Sequence, residues 1–413
     1  MFSRRLNFLI DNARWLAAGM LLAFLASFGQ TYFIAIFAGE IRQTFNLSHG
    51  QWGGIYTLGT TASAIAMIWA GSLTDHLRVR LLGSATLVFL AVACALMALV
   101  PSVWMLTLAI FALRLTGQGM TMHTAVVAMG RWFVASRGKA ISIATLGGNA
   151  GEALLPLIFA ALMVHYEWRL LWVIAAVIVL MAVPVLSGLL VRETTPRVSA
   201  ASDESVGMEN RHWTRNQAFN HWLFWFMFPA LLGPAAFNTA FFFHQVHFAA
   251  IKGWQHLELV ALFPGYMAVM VGAIALSGWL LDKTGSARLI PWLQIPMVAG
   301  FTLFSQGETL FVVFWGLLLT ALTTGANTVI PNAFWAEFYG TRNLGSIKAM
   351  AAAVMVFGTA LGPGLSGLLI DLGLGLEIQF QIAALYFVIT TVLMRIGVTR
   401  AMKRRGRPSE ETL

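Results

Sequence analysis

The sequence predicts an all-α membrane protein of twelve transmembrane helices in two pseudo-symmetric six-helix halves. Three observations carry that prediction. Of 413 residues, 58% are apolar and only 10% charged, with a mean hydropathy of +0.76. A soluble domain carries about a quarter of its residues charged, so this composition excludes an ordinary water-soluble protein. Apolar stretches of roughly 20 residues, the length a helix needs to cross a ~30 Å hydrocarbon layer, recur twelve times. Short residue patterns also recur between the first six stretches and the last six.

The stretches fall at about 15–38, 52–74, 82–100, 104–130, 140–164, 170–191, 220–244, 258–281, 287–304, 309–332, 346–370 and 379–399. A transmembrane barrel would show alternating segments of ~10 residues, and the unbroken run from Leu170 to Val191 does not alternate. The first stretch exceeds the apolar core of a signal peptide and eleven more follow, so it is expected to stay in the mature chain. The 38 Gly suit close helix approach and the 15 Trp suit interface anchoring. Cys94 is the only cysteine. It has no partner for a disulfide and no companions for a thiolate cluster, and it reads as a small core hydrophobe.

The formal charge of +9 is accounted for by position. With the N-terminus in the cytoplasm, the inner segments hold 21 of the 26 Lys and Arg, against Arg42, Arg169 and Lys252 outside. That bias places both termini in the cytoplasm and the protein in the plasma (inner) membrane. The charge is therefore topological, and no nucleic-acid partner is expected. The tail residues Lys403, Arg404, Arg405 and Arg407 read as a solvated anchor. Residues 1–191 form the first half, 192–219 a polar linker with Thr194, Thr195, Pro196 and Ser199, 220–399 the second half, and 400–413 the basic tail.

The repeat has three witnesses. Gly71, Leu73 and Asp75 close the second stretch, and Gly278, Leu280 and Asp282 close the eighth, 207 positions on. Gly147 and Gly151 match Gly358 and Gly362 at an offset of 211, and Thr116-Gly117 matches Thr324-Gly325 at 208. Each pair links helix n with helix n+6, which makes the halves parallel repeats about an axis along the membrane normal.

These residues carry a family resemblance. The run Gly71-Ser-Leu-Thr-Asp75-His-Leu-Arg78-Val-Arg80 and its copy Gly278-Trp-Leu-Leu-Asp282-Lys-Thr-Gly285-Ser-Ala-Arg288 resemble the G-x-L-x-D-[RK]-x-G-R-[RK] signature of the major facilitator superfamily. Arg114-Leu-Thr-Gly117-Gln118-Gly119 is similar to its R-x-x-x-G motif, with Gln118 at the motif's glycine position and glycines on either side, and Gly358-Thr-Ala-Leu-Gly362-Pro363 to its G-x-x-x-G-P motif, here in helix eleven rather than five. Arg137-Gly138-Lys139-Ala140 before a glycine-rich helix five is similar to the monocarboxylate and oxalate/formate-type carriers. Arg78 stands where the signature has glycine, so the family's tight turn is not expected in the first copy. The resemblance implies that Gly71, Asp75, Gly278 and Asp282 belong to a cytoplasmic latch that favours one alternating conformation. Gly147, Gly151, Pro156, Gly358, Gly362 and Pro363 are expected to serve helix crossing and bending, or static packing.

Two ionisable residues lie far from either interface. Arg114 is about ten residues into its span and Glu152 about twelve, so at ~1.5 Å per residue each is near mid-membrane. A charge there costs roughly 2.5–3.5 kcal/mol on insertion scales and is usually retained for function. The second half has Leu322 and Pro363 at the matching positions, so the scaffold alone does not require these charges. Arg114, Gly117, Gln118, Thr121 and Thr124 share one helical face. Ser27, Gln30 and Thr31, with Asn238, Gln245, Thr320, Thr324 and Asn327, extend the expected path. His123 points away from Arg114, and His244 and His247 sit at the outer end of helix seven, where histidine can sense pH. Tyr32, Phe241, Phe242 and Trp335 suit either stacking on a planar solute or core packing.

Neither a G-x-x-x-x-G-K-[ST] loop nor an H-E-x-x-H pair occurs, so ATP-driven pumping and enzymatic chemistry are disfavoured, and no cofactor or metal is expected. The expected function is alternating-access, proton-coupled symport of a small carboxylate-bearing solute. Ionised Glu152 is expected to pair with Arg114, and protonation to release the guanidinium to the solute. Proton-driven efflux antiport, uptake of a neutral aromatic or vitamin-like compound, and a non-transporting membrane receptor are the alternatives. The expected partners are the solute, protons and the bilayer, with the chain acting as a monomer.

Overall fold

The computed structural model describes residues 9–133, 137–191 and 206–404. Among the described residues every regular element is helical. We number twelve principal helices. α1 is Ala13–Gly29 with Thr31–Phe45, bent by 47° at Gln30. α2 is His49–Ala70, α3 Val79–Leu99, α4 Val103–Trp132, α5 Gly138–Met163 and α6 Trp168–Leu189. α7 is Trp222–Phe243, α8 His256–Thr284, α9 Ser286–Gln306, α10 Leu310–Tyr339, α11 Leu344–Asp371 and α12 Leu376–Lys403. With α1 taken as one bent span, eleven are long and apolar enough to cross a bilayer. The remaining one, α2, has the length, but Gly53, Gly54, Gly59, Thr57, Thr60 and Thr61 dilute its apolar run. Its start is fixed instead by a capping box between Ser48 and Gln51. All twelve expected spans are present as helices.

The chain divides into two compact units. The first holds residues 1–200 together with 242–261, which are the last turn of α7, a short helix Gln245–Ile251 and the start of α8. Its aromatic core joins Phe28, Phe33 and Phe37 of α1 to Phe159 of α5 and Trp172 of α6, with edge-on contacts such as Phe33–Phe159 at 4.9 Å. Such pairs add about 0.5–1.5 kcal/mol each beyond burial, and they fix the half of α1 that follows the bend. The second unit holds residues 201–241 and 262–413. Its core centres on Phe334, Trp335, Phe338 and Tyr339 of α10 against Phe224 and Met227 of α7. Part of the expected linker is ordered there: the Trp213 backbone N–H donates to the Tyr339 carbonyl, the Asn343 side-chain amide donates to the Trp213 carbonyl, and Trp213 is buried.

The repeat glycines do equivalent work in each unit. A Cβ on Gly147 would lie 2.1 Å from the Met20 carbonyl and one on Gly151 2.1 Å from Ser27 Oγ, so α5 touches α1 backbone to backbone. A Cβ on Gly358 or Gly362 would lie 2.8 and 2.2 Å from the Leu232 and Ala236 carbonyls, which sets α11 on α7 the same way. Pro156 and Pro363 lie inside α5 and α11. The loops of the two signature copies differ. Gly285 turns with φ +77°, where nothing stands near a Cβ and the dihedral alone calls for glycine. Arg78, its counterpart, is ordinary extended backbone with φ −67° and ψ 142°.

Candidate functional site

The site in the first unit begins with a break in α1. Gln30 is extended, with φ −87° and ψ 154°, and the Phe33 amide bonds to the Gln30 carbonyl instead of continuing the ladder to Gly29. The Gly29 carbonyl, left without that helical donor, accepts from Arg114 Nη1 at 3.2 Å. Glycine is required at this point: a Cβ on Gly29 would lie 2.2 Å from the Leu113 carbonyl, and one on Gly117 2.6 Å from Gly29 Cα. α4 is itself widened, running as π-helix over Arg114–Thr121, and Thr121 Oγ1 donates five residues back to the Thr116 carbonyl at 2.6 Å. π-turns inside α-helices are frequent at functional sites.

Arg114 is 2% exposed. Its Nη1 also donates to Thr31 Oγ1 at 3.3 Å, the Thr31 and Tyr56 hydroxyls are 2.5 Å apart, and the guanidinium carbon lies 5.5 Å from the Tyr56 ring centre. Nε has no hydrogen-bond partner. The expected pair with Glu152 is not formed: among the described residues no ion pair joins the two. Arg114 Nη1 is turned instead to the carbonyl released by the α1 break and to Thr31 Oγ1, on α1 rather than on α5. Glu152 is half-buried beside Gly151, where α5 meets Ser27. Tyr32 donates to Ser27 Oγ at 2.8 Å and lies in the electrostatic field of both Glu152 and Arg114. Gln118 is half-buried, with its backbone against Gly29, while Thr124 is buried with its hydroxyl unpartnered.

The second unit carries a related node. Asn238 Nδ2 donates to Tyr266 OH at 3.4 Å, and Tyr266 OH donates to Thr324 Oγ1 at 3.2 Å. Tyr56 and Tyr266 are 210 positions apart, so each unit places a repeat-related tyrosine of its second helix against its first and fourth. That signal was available in the sequence, since the chain has only six tyrosines. Thr320 bonds back to the Leu317 carbonyl. Asn327 ends the first segment of α10, half-buried and without a side-chain hydrogen bond among the described residues. Phe241 stacks on Phe304 at 4.4 Å and Trp335 is core, while Phe242 is buried. A cavity of about 260 Å³ between α7, α9, α11 and α12 is walled by Phe237, Phe301, Phe380 and Tyr386.

Gln245 belongs to the first unit, where its Nε2 donates to the Tyr32 carbonyl at 3.1 Å. His244 and His247 face His49 there, with ring centres 5.9 and 4.0 Å apart. Burial first, and then the charge of Arg42, hold the His247 imidazole below its ordinary value. At the signature loops, Gly71 ends α2 and Thr74 Oγ1 lies 3.4 Å from His123 Nε2. The Asp75 side chain lies outside the described residues. Gly278 has open space where a Cβ would stand, and Asp282 is exposed and makes no ion pair among the described residues.

Comparison with known proteins places this geometry in context. The Major Facilitator Superfamily model matches residues 19–305. Bovine solute carrier family 2, facilitated glucose transporter member 8, is 27% identical over 141 residues, 32% of this chain and 30% of that protein. Bovine monocarboxylate transporter 13 is 28% identical over 293 residues, 68% of this chain and 65% of that protein. The chain thus aligns with about a third of the first relative's length and about two thirds of the second's. Among solved structures, a bacterial homologue of the human lysosomal transporter Spinster, inward-facing and unoccupied, superposes with a TM-score of 0.74. It shares 17% identity and covers 96% of this chain and 99% of that one, which is a likeness of fold.

Proposed function

Because the chain belongs to the Major Facilitator Superfamily and resembles a facilitated glucose transporter and a monocarboxylate transporter, we propose that it is a secondary carrier moving a small carboxylate-bearing solute together with a proton. One observation carries this reading: a guanidinium sits 2% exposed within a membrane helix, its Nε unpartnered and no carboxylate paired to it among the described residues. A buried cation in that condition is costly, and an anionic oxygen pair is the ligand that best matches its planar fork. Arg114 binds the solute, with Gln30, Thr31, Gln118 and Thr121 as its companions in the first half, and Asn238 and Asn327 are the pathway residues of the second half. Glu152 takes the proton; neutralising it removes negative charge from the surroundings of Tyr32 and strengthens the pull of Arg114 on an anion.

In this reading the carrier works by alternating access as a monomer in the inner membrane, with both termini in the cytoplasm, as the Lys and Arg bias supports. The glycine and aspartate loops at Gly71, Asp75, Gly278 and Asp282 act as its conformational latch. A neutral aromatic solute is the second reading, favoured by the aromatic cavity at Phe237, Phe301, Phe380 and Tyr386. Uptake of small carboxylates, aromatic vitamins and cationic drugs into proteoliposomes under an imposed pH gradient separates them. The proposal predicts accumulation of a carboxylate that collapses with the gradient. Accumulation confined to neutral aromatics, or export of cations, rejects it.

A further inference from the structure

A cavity of about 370 Å³ opens between the start of α3 and the end of α6, on the face that the Lys and Arg bias assigns to the cytoplasm. Arg78, Arg80 and Ser84 line one side and Ser187 and Val191 the other. The repeat supplies a contrast: 207 positions on, Gly285 and Ala287 replace Arg78 and Arg80, so the second half has neither cation. Among the described residues the Arg78 guanidinium has no hydrogen-bond or ion-pair partner. Arg14 donates to the Gly188 carbonyl at 3.1 Å, one residue along the chain from Ser187, which brings a third cation to this end of α6.

The floor is polar in a specific way. Ser84 Oγ and Ser187 Oγ lie 3.1 Å apart across the two helices. Two hydroxyls own two O–H donors and that bond uses one, which leaves the other for an acceptor in the cavity. From the serines toward the bilayer centre the same helix faces turn apolar, with Val88 one turn beyond Ser84 and Leu180 two turns beyond Ser187, 40% and 53% exposed. At the mouth Leu81 is 62% exposed and Val191 57%. We propose that this cavity binds the phosphate headgroup of an anionic phospholipid from the adjoining leaflet. The arginines and the spare hydroxyl take the phosphate oxygens, and the acyl chains follow Val88 and Leu180. A soluble anion makes no use of the apolar strip, and a zwitterionic lipid brings its own cation against three arginines.

The test is native mass spectrometry of the intact purified protein titrated with phosphatidylglycerol or phosphatidylcholine. A one-to-one phosphatidylglycerol adduct is expected in preference to phosphatidylcholine. At about a factor of five per arginine near a membrane surface, the double variant Arg78→Gln/Arg80→Gln weakens it about thirtyfold. Ser187→Phe, which fills the cavity and keeps the charges, weakens it as well. Lys283→Gln/Arg288→Gln, which removes two cations from the signature loop of the second half, leaves it unchanged. Equal binding of phosphatidylcholine, an adduct unaffected by both cavity variants, or displacement by inorganic phosphate at the lipid's own concentration overturns the proposal.

Discussion

Replacing Arg114 by Lys isolates the fork of the guanidinium from its charge. In the native site Nη1 is held by the Gly29 carbonyl at 3.2 Å and Thr31 Oγ1 at 3.3 Å, while Nε is unpartnered. A bound carboxylate therefore meets a guanidinium already oriented by two neighbours, with Nε available as one tine of a bidentate contact. An ammonium in the same place retains the cation and one strong contact but cannot hold the Gly29 carbonyl and both carboxylate oxygens together. Losing one hydrogen bond to a charged group costs about 1.5–3 kcal/mol, which is roughly a ten- to 150-fold rise in the half-saturating concentration. Initial uptake rates in proteoliposomes, measured across solute concentration at fixed pH gradient, give that quantity directly. A half-saturating concentration within twofold of the native protein, in a variant that runs as a single species on size exclusion, refutes the reasoning.

Glu152→Gln is expected to abolish the dependence of uptake on the pH gradient while retaining solute exchange; proton-linked accumulation that survives in this variant removes Glu152 from the coupling. Gly117→Ala places a methyl 2.6 Å from Gly29 Cα and should cost about 1–3 kcal/mol of stability in a thermal unfolding series. Gly130→Ala in the same helix meets nothing within 4 Å and should be neutral or stabilising by about 1 kcal/mol. The imidazole of His247 is held below its ordinary 6.5, so the unfolded chain binds the proton more readily than the folded one. Its stabilising contribution is fully present above about pH 6.5 and declines as the pH falls toward the lowered value, with Arg42, His49 and His244 as the facing groups. His247→Gln should flatten the acid-side fall of the thermal midpoint in that window, and an unchanged slope would show the histidine is a bystander.

Hydropathy alone makes most of the helices legible, because a run such as α6 has no alternative solution in a bilayer. α2 is the weakest case, its apolar run diluted by glycine and threonine, and its first turn is fixed by the Ser48–Gln51 cap. Repeat glycines such as Gly147 and Gly358 are readable as close approaches because no other residue fits a backbone at about 2–3 Å. What sequence could not supply is where a helix opens. Neither the extended Gln30 nor the π-turn at Arg114–Thr121 contains proline, and both arise from the Gly29–Gly117 approach, a tertiary contact. The partner of Arg114 followed from that break, which is why an acidic residue looked the natural mate and a backbone carbonyl took the place. That residues 242–261 belong with the first half is likewise decided by packing, since they follow α7 directly in the chain.

The claim at the centre of this account is that Arg114 waits for an anionic group. Binding of a transported carboxylate and of its primary amide, equal in shape but uncharged, to the native carrier and to Arg114→Gln by isothermal titration calorimetry tests it without any assumption about coupling. The account predicts that the native carrier prefers the acid by tenfold or more and that Arg114→Gln loses this preference. Equal affinity for acid and amide in the native carrier, or an intact preference in Arg114→Gln, would contradict it.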